Sequence, residues 1–185
     1  GTLSFLFNTY SASDAPFSEI LQKAIDSGYT EPDPREDLCG NDVGRKLLIL
    51  ARELDLENEF EEVSIENLIP PALREGSREE FLSCLREFDP IYQEIKDKAP
   101  QGTVLRYVGD LHGDLSQTAT ARLEVKLVSV PVTSALGQVK GADSIFEIYT
   151  ESYGENPIVI QGAGAGAAVT ARGVFGDILR IIGNK

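Results

Sequence analysis

The sequence predicts an α+β domain in which helices pack on one face of a mixed, largely antiparallel sheet. Apolar side chains recur at helical spacing before Pro100, and from Thr103 onward they alternate with polar side chains as in strands. A last helical segment ends the chain. Helices and strands that are segregated along a chain, rather than alternating, are typical of the α+β class.

The composition is that of one soluble globular domain, with 185 residues of which 42% are hydrophobic and 25% are charged. The net charge of −13 opposes binding to nucleic acid, because phosphate contacts require clustered Lys and Arg. No apolar run approaches the roughly 20 residues that span a bilayer, and no signal-peptide pattern opens the chain. We therefore expect a cytoplasmic protein without membrane or nucleic-acid partners. Because the chain starts at Gly1 and contains no methionine, we also expect it to be part of a longer protein.

The part of the chain before Pro100 predicts helices. Residues 2–8 are almost wholly apolar and fit either a buried helical turn or a strand. Residues 17–28 predict a helix that is capped by Ser18 and ends with Gly28 in the left-handed conformation. Two prolines in the next segment prevent that helix from continuing.

Three further helices follow before Pro100. The first begins near Asn41 or Asp42, and its predicted apolar face consists of Val43, Leu47, Leu50 and Leu54. Ser77 and Glu80 form a capping box for the next helix. The side chains that this helix is expected to bury are Phe81, Cys84, Leu85 and Phe88. Asp89 and Pro90 predict the start of the last one, with Ile91, Tyr92 and Ile95 inward.

Beyond Pro100 the pattern predicts four strands and a helix. The strands are expected at residues 103–108, 121–130, 145–150 and 157–161. In the second strand, Leu123, Val125 and Leu127 alternate with charged residues, which predicts one buried and one solvated face. Residues 167–182 predict the closing helix, with Val174, Ile178 and Ile181 on one side.

Two short motifs resemble functional sites that the rest of the chain does not complete. Residues 108–114, VGDLHGD, resemble the metal-binding block of two-metal phosphoesterases, but His112 is the only histidine, so we predict a polar hairpin turn. Residues 159–167, VIQGAGAGA, have the GxGxxA spacing of a dinucleotide-binding turn but lack the second strand with its acidic residue. A glycine-rich turn remains, which can either approach a cofactor or simply pack tightly. Cys39 and Cys84 are isolated, which favours free thiols over a disulfide or a zinc site.

The residues with the strongest chemical signal lie between Glu31 and Lys46, where five acids and three bases surround two prolines and Gly40. The prolines stiffen the loop, so its charged groups lose less entropy when a ligand binds. Asp42 and Lys46 are four residues apart on one helix face, a spacing that by itself usually means a surface ion pair. Together with the acidic loop, however, they predict a pocket for a small zwitterion.

Residues 28–52, GYTEPDPREDLCGNDVGRKLLILAR, resemble the signature of homoserine dehydrogenases. Residues 1–8, GTLSFLFN, and residues 162–177, GAGAGAAVTARGVFGD, are also similar to that family, whereas residues 103–150 resemble it only loosely. Cys39 and Gly44 stand where Ser and Ala are expected. The resemblance implies interconversion of homoserine and aspartate 4-semialdehyde by hydride transfer with NAD(P).

By the same resemblance, Lys46 hydrogen-bonds the substrate hydroxyl and moves its proton, while Asp42 binds the amino acid and orients the lysine. The residues that hold the ammonium group and line the pocket are implied to be Glu31, Asp37 and Tyr29. Gly166 is implied to touch the cofactor. No metal is implied, although a metal site built from Glu31, Asp33 and Asp37 is a weaker alternative.

The family also carries an N-terminal Rossmann domain that binds the nicotinamide cofactor, and nothing in this sequence corresponds to it. Residues 1–185 are therefore expected to be the substrate-binding and dimerisation domain, a homodimer through its sheet, with helix 167–182 packed toward the missing domain. We expect the isolated chain to be inactive. A non-catalytic dimerisation or amino-acid-sensing module is the alternative.

Overall fold

The computed structural model of the chain describes residues 1–164 and 167–183. Helices come first and most strands later, as predicted. The helices are α1 (Thr2–Ser11), α2 (Phe17–Asp26), α3 (Arg35–Leu38), α4 (Asn41–Arg52), α5 (Arg78–Ser83), α6 (Phe88–Lys98) and α7 (Ala167–Gly183). The strands are β1 (Ser64–Ile65), β2 (Thr103–His112), β3 (Arg122–Pro131), β4 (Asp143–Ile148) and β5 (Ile158–Ala163). None of the helices in the described ranges is long and apolar enough to cross a bilayer.

The strands form two small sheets. In the first, β3 lies between β1 and β2, parallel to β1 and antiparallel to β2. In the second, β4 and β5 form an antiparallel ribbon. The predicted α+β class with mixed, largely antiparallel pairing is confirmed, while the division into two sheets is an addition to the prediction.

The helices α1 and α4 lie against one face of the three-stranded sheet. The main core joins α1, α2, α6 and strand β2, and it is rich in aromatic side chains; its largest fully buried members are Phe7, Tyr10, Phe17, Phe81 and Phe88. A second core lies between α4 and β3 and includes Leu47, Ala51, Leu123 and Val125. The burial of Leu123 and Val125 confirms the alternation predicted for that strand.

Two of the predicted helix caps are wrong. Ser18 lies inside α2, whose N-cap is Pro16. Asp89 lies inside α6, whose N-cap is Glu87. The Asp89 carboxylate instead accepts hydrogen bonds from the Ser18 backbone N–H (2.7 Å) and hydroxyl (2.9 Å). It thereby supplies a partner for one of the backbone N–H groups at the start of α2 that have no acceptor within the helix. The capping box of Ser77 and Glu80 is confirmed.

Three of the predicted inward side chains face solvent. Leu50 and Leu54 are 42% and 50% exposed, and Ile91 is also exposed. Leu47 is buried as predicted, and the other buried positions of α4 are Gly44, Leu48 and Ala51, because this helix packs between the sheet and the loop that follows it. Leu54 lies beyond the last helical residue, Arg52, so it does not continue the helical face.

The VGDLHGD segment is strand rather than turn. Residues 108–112 continue β2, and the pairing with β3 extends to His112 opposite Arg122. The turn begins at Gly113, which has a φ of +94°. Strand β2 is longer than predicted because β3 offers a partner along its whole length.

Candidate acid–lysine site at the start of helix α4

Arg35 stiffens the loop between α2 and α4. Its guanidinium donates bidentate hydrogen bonds to the Asp33 carboxylate, with Nε 3.0 Å from Oδ1 and Nη2 2.7 Å from Oδ2. A third nitrogen donates to the carbonyl oxygen of Gly76, and the guanidinium lies 5.4 Å from the centre of the Phe81 ring. The Arg35 charge lowers the pKa of Asp33, chiefly through the side-chain hydrogen bond. Asp33 therefore serves the loop itself and is not free to bind a ligand.

Asp37 ties the two ends of the same loop together. Its Oδ2 accepts a 2.8 Å hydrogen bond from the Glu31 backbone N–H. Its Oδ1 lies 2.8 Å from the hydroxyl of Thr2, which also lies 2.5 Å from the carbonyl oxygen of Tyr29. The acidic loop is thereby fastened to the first turn of α1.

Thr2 is a site residue that the sequence analysis missed. It stands 35 positions from Asp37, and the one signal in the sequence was a hydroxyl side chain at the start of a largely apolar segment. Beside it, the Tyr29 ring stacks on Phe5 with the ring centres 4.5 Å apart. Tyr29 remains 44% exposed, so one side of its ring can contact a ligand.

Asp42 and Lys46 form the predicted pair on the first turns of α4. Lys46 Nζ lies 2.7 Å from Asp42 Oδ2, and the side chains are 72% and 54% exposed. Gly40 directly precedes the helix in the left-handed conformation, with a φ of +79°. Both charged groups therefore project from the surface at the N-terminus of a helix, where the helix dipole favours anionic groups.

The loop and the helix pair are neighbours in the structure. Asp37 lies on α3, which packs against α4. Only four residues of the chain separate Asp37 from Asp42. The structure thus places the helix that carries Asp37 against the helix that carries Asp42 and Lys46.

The alternative metal site is not assembled. The Asp33 carboxylate is paired with the Arg35 guanidinium. The Asp37 carboxylate accepts a hydrogen bond from the backbone N–H of Glu31. Across the described ranges, the one cluster of His, Cys, Asp and Glu that is close enough to share a cation is Asp110, His112 and Glu124. That cluster lies on the sheet, away from the acidic loop. Gly166, the expected cofactor contact, lies outside the described residues.

These features define an α+β domain with acids and a lysine gathered on an exposed surface at the start of one helix. The homoserine dehydrogenase family profile matches residues 1–179. The chain belongs to the homoserine dehydrogenase family.

The curated relatives include both single-function and fused proteins. A homoserine dehydrogenase of Paracoccidioides brasiliensis is 44% identical over 98% of this chain and 50% of its own length. A chloroplastic bifunctional aspartokinase/homoserine dehydrogenase of Daucus carota is 43% identical over 98% of this chain and 19% of its own length. The chain thus spans about half of the fungal relatives and about a fifth of the fused ones.

Solved structures agree on the fold. A Candida auris protein of unknown function superposes with a TM-score of 0.84 at 39% identity, covering 97% of this chain and 50% of that one. The homoserine dehydrogenase of S. aureus gives a TM-score of 0.68 at 18% identity over 98% of this chain and 40% of that one. At that identity the second likeness concerns the fold alone.

Proposed function

We propose that this chain is the substrate-binding part of a homoserine dehydrogenase, which interconverts L-homoserine and L-aspartate 4-semialdehyde with NAD(P). The observation that carries the proposal is the Asp42–Lys46 pair at the start of α4, beside a loop fastened by Asp37. A zwitterionic amino acid needs carboxylates for its ammonium group and a cation for its oxygen atoms. Both are present on one surface of this domain.

The proposed roles follow from charge and position. The Glu31 and Asp37 carboxylates hold the substrate ammonium group, directly or through water, and the exposed side of the Tyr29 ring lines the site. Asp42 binds the amino acid and orients Lys46. As the neutral amine, Lys46 accepts the hydroxyl proton of homoserine during oxidation, and as the ammonium it donates a proton to the carbonyl oxygen during reduction. In the direction of reduction, the positive charge of that ammonium also stabilises the developing alkoxide.

NAD(P), when bound, supplies or accepts the hydride at the carbinol carbon. We propose that a nucleotide-binding domain outside this chain holds it, with Gly166 as a contact and α7 packed toward that domain. In support, α7 presents unusually exposed apolar side chains, among them Val174, Phe175, Ile178 and Leu179. Such a surface marks a contact with another domain or protein. Discrimination between NAD and NADP would belong to that domain.

The isolated chain is proposed to be inactive. Hydride transfer requires a site that excludes water, and here the Lys46 side chain is 72% exposed. A second wall must therefore come from the nucleotide-binding domain. The alternative is a dimerisation or amino-acid-sensing module whose Asp42 and Lys46 are idle.

Thermal unfolding with homoserine tests the proposal. At a homoserine concentration 100-fold above its Kd, binding should stabilise the chain by about 2.7 kcal/mol. Asp42→Asn and Lys46→Met should abolish this protection, whereas Glu94→Gln, in a similarly exposed helical ion pair, should retain it. No binding even after the nucleotide-binding domain is restored would favour the module. Turnover by the isolated chain would contradict its proposed inactivity.

We also propose a homodimer formed through the β4–β5 ribbon. In the register of this ribbon, Phe146 lies opposite Ile160 and Ile148 opposite Ile158. All four side chains share one face and are 40% to 56% exposed. A second copy of the chain could cover this apolar face with its own by two-fold symmetry.

A further inference from the structure

The sheet face opposite α4 carries a cluster of charged side chains that the proposed dehydrogenase chemistry does not use. Asp110 on β2 lies directly opposite Glu124 on β3. Since strand side chains alternate between faces, His112 lies on the same face as Asp110. The neighbouring Gly109 faces Val43 and Leu47 of α4, so the cluster lies on the far side of the sheet from that helix.

The three side chains are close enough to share one ion. One ligand atom from each of Asp110, His112 and Glu124 lies within 4.8 Å of the other two. Zinc holds nitrogen and oxygen ligands at about 2.0–2.2 Å, which puts ligand atoms roughly 3.5 Å apart. Small side-chain rotations can close the difference, because the Asp110, His112 and Glu124 side chains are 37% to 45% exposed and not locked by packing.

Lys126 now supplies the cation in this cluster. Its Nζ lies 3.0 Å from Asp110 Oδ2 and also bonds Glu124. Like charges directly opposite each other on neighbouring strands are destabilising, so two facing carboxylates call for a positive charge between them. The lysine is on a flexible stem and can swing away when a stronger cation arrives.

A depression of about 150 Å³ has one member of the cluster, Glu124, in its wall. Asn58 also lines it; this residue is only 4% exposed, and its Oδ1 has no hydrogen-bond partner among the described residues. Buried polar atoms are normally satisfied, often by ordered water. The depression therefore offers space for ordered water beside Asn58 and Glu124.

We propose that Asp110, His112 and Glu124 bind a divalent first-row transition-metal ion of the zinc class, with Lys126 as the internal cation that the metal displaces. An imidazole nitrogen with two carboxylates suits Zn²⁺ or Mn²⁺, whereas Mg²⁺ and Ca²⁺ prefer oxygen ligands alone. The site is independent of Asp42 and Lys46, and its occupancy is expected to stabilise the β2–β3 pair.

The single histidine makes the test direct. In the 185-residue chain without an affinity tag, all imidazole NMR signals belong to His112. A background of Cys39→Ser with Cys84→Ser removes the two free thiols that could compete for zinc. Addition of one equivalent of ZnCl₂ should shift both ring nitrogens, while the same concentration of MgCl₂ should leave them unchanged.

Calorimetry on four variants separates the site from general charge effects. His112→Asn and Glu124→Gln should each weaken zinc binding by at least about tenfold, because each removes a ligand. Lys126→Met should tighten it, because it removes the competing cation. Asp114→Asn, an equal charge change two residues from His112, should leave it unchanged. Zinc binding that spares the imidazole, survives His112→Asn or is weakened by Lys126→Met would overturn the proposal.

Discussion

The phenol oxygen of Tyr107 occupies the space that a side chain at residue 40 would need. A Cβ atom at Gly40 would lie 2.1 Å from Tyr107 Oη. That oxygen is held in place, since it donates a 2.6 Å hydrogen bond to the carbonyl oxygen of Glu66. Gly40 also has a φ of +79°. The start of α4, and with it the Asp42–Lys46 pair, is thereby seated directly against the sheet.

Gly40→Ala should destabilise the fold by about 2–5 kcal/mol. The left-handed backbone costs a residue with a Cβ about 1–2 kcal/mol, and overpacking against a fixed side chain costs about 1–3 kcal/mol. Urea denaturation measures the sum. Gly28→Ala is the matched control, because Gly28 has a φ of +70° but nothing within 4 Å of its added Cβ. Equal losses for the two variants would show that Tyr107 does not constrain residue 40.

Asp42→Asn and Lys46→Met should leave stability nearly unchanged but abolish the proposed function. An exposed helical ion pair contributes only about 0.2–1 kcal/mol. In a protein that includes the proposed nucleotide-binding domain, loss of the proposed proton-transfer group, Lys46, should lower kcat by about 10²–10⁴-fold. Glu94→Gln and Lys98→Met, in an equally exposed pair on α6, are the controls and should keep full activity. Similar activity in all four variants would favour the non-catalytic module.

Local patterns predicted the elements well because their causes lie within a few residues. The capping box of Ser77 and Glu80 spans four positions, and the burial of Leu123 and Val125 follows from strand alternation. The errors came from partners distant in sequence. Asp89 accepts the hydrogen bond of the Ser18 backbone N–H from 71 positions away, which no local pattern can indicate. The division of five strands into two sheets likewise depends on packing that a sequence pattern does not contain.

The candidate site shows the same limit. The acidic loop and the Asp42–Lys46 spacing were visible in the sequence, because prolines and helical periodicity are local signals. The capture of Asp33 by Arg35, which removes one acid from the ligand-binding set, required the three-dimensional contacts. So did Thr2, whose hydroxyl reaches the loop from the start of α1.

Phe146→Asp should convert a dimer of the chain into monomers. A charge placed opposite Ile160 would have to be buried in the proposed interface, which is strongly unfavourable without a partner. Light scattering after size exclusion measures the mass. Val159→Asp is the control, because Val159 is comparably exposed but lies on the other face of the same ribbon. If both variants keep the dimer mass, the β4–β5 face is not the interface.

Asp33→Asn should remove part of the acid sensitivity of the fold. The hydrogen bonds from Arg35 hold the pKa of Asp33 below its ordinary value of 3.8. A depressed folded-state pKa contributes stability that is full above the unfolded-state pKa and is lost as the pH falls through the folded-state pKa. The variant should therefore be less stable than the native chain at pH 7, and the difference should shrink progressively below about pH 4. Urea denaturation at a series of pH values measures it. A stability difference that stays constant down to about pH 3 would mean that the Asp33 charge does not support the loop.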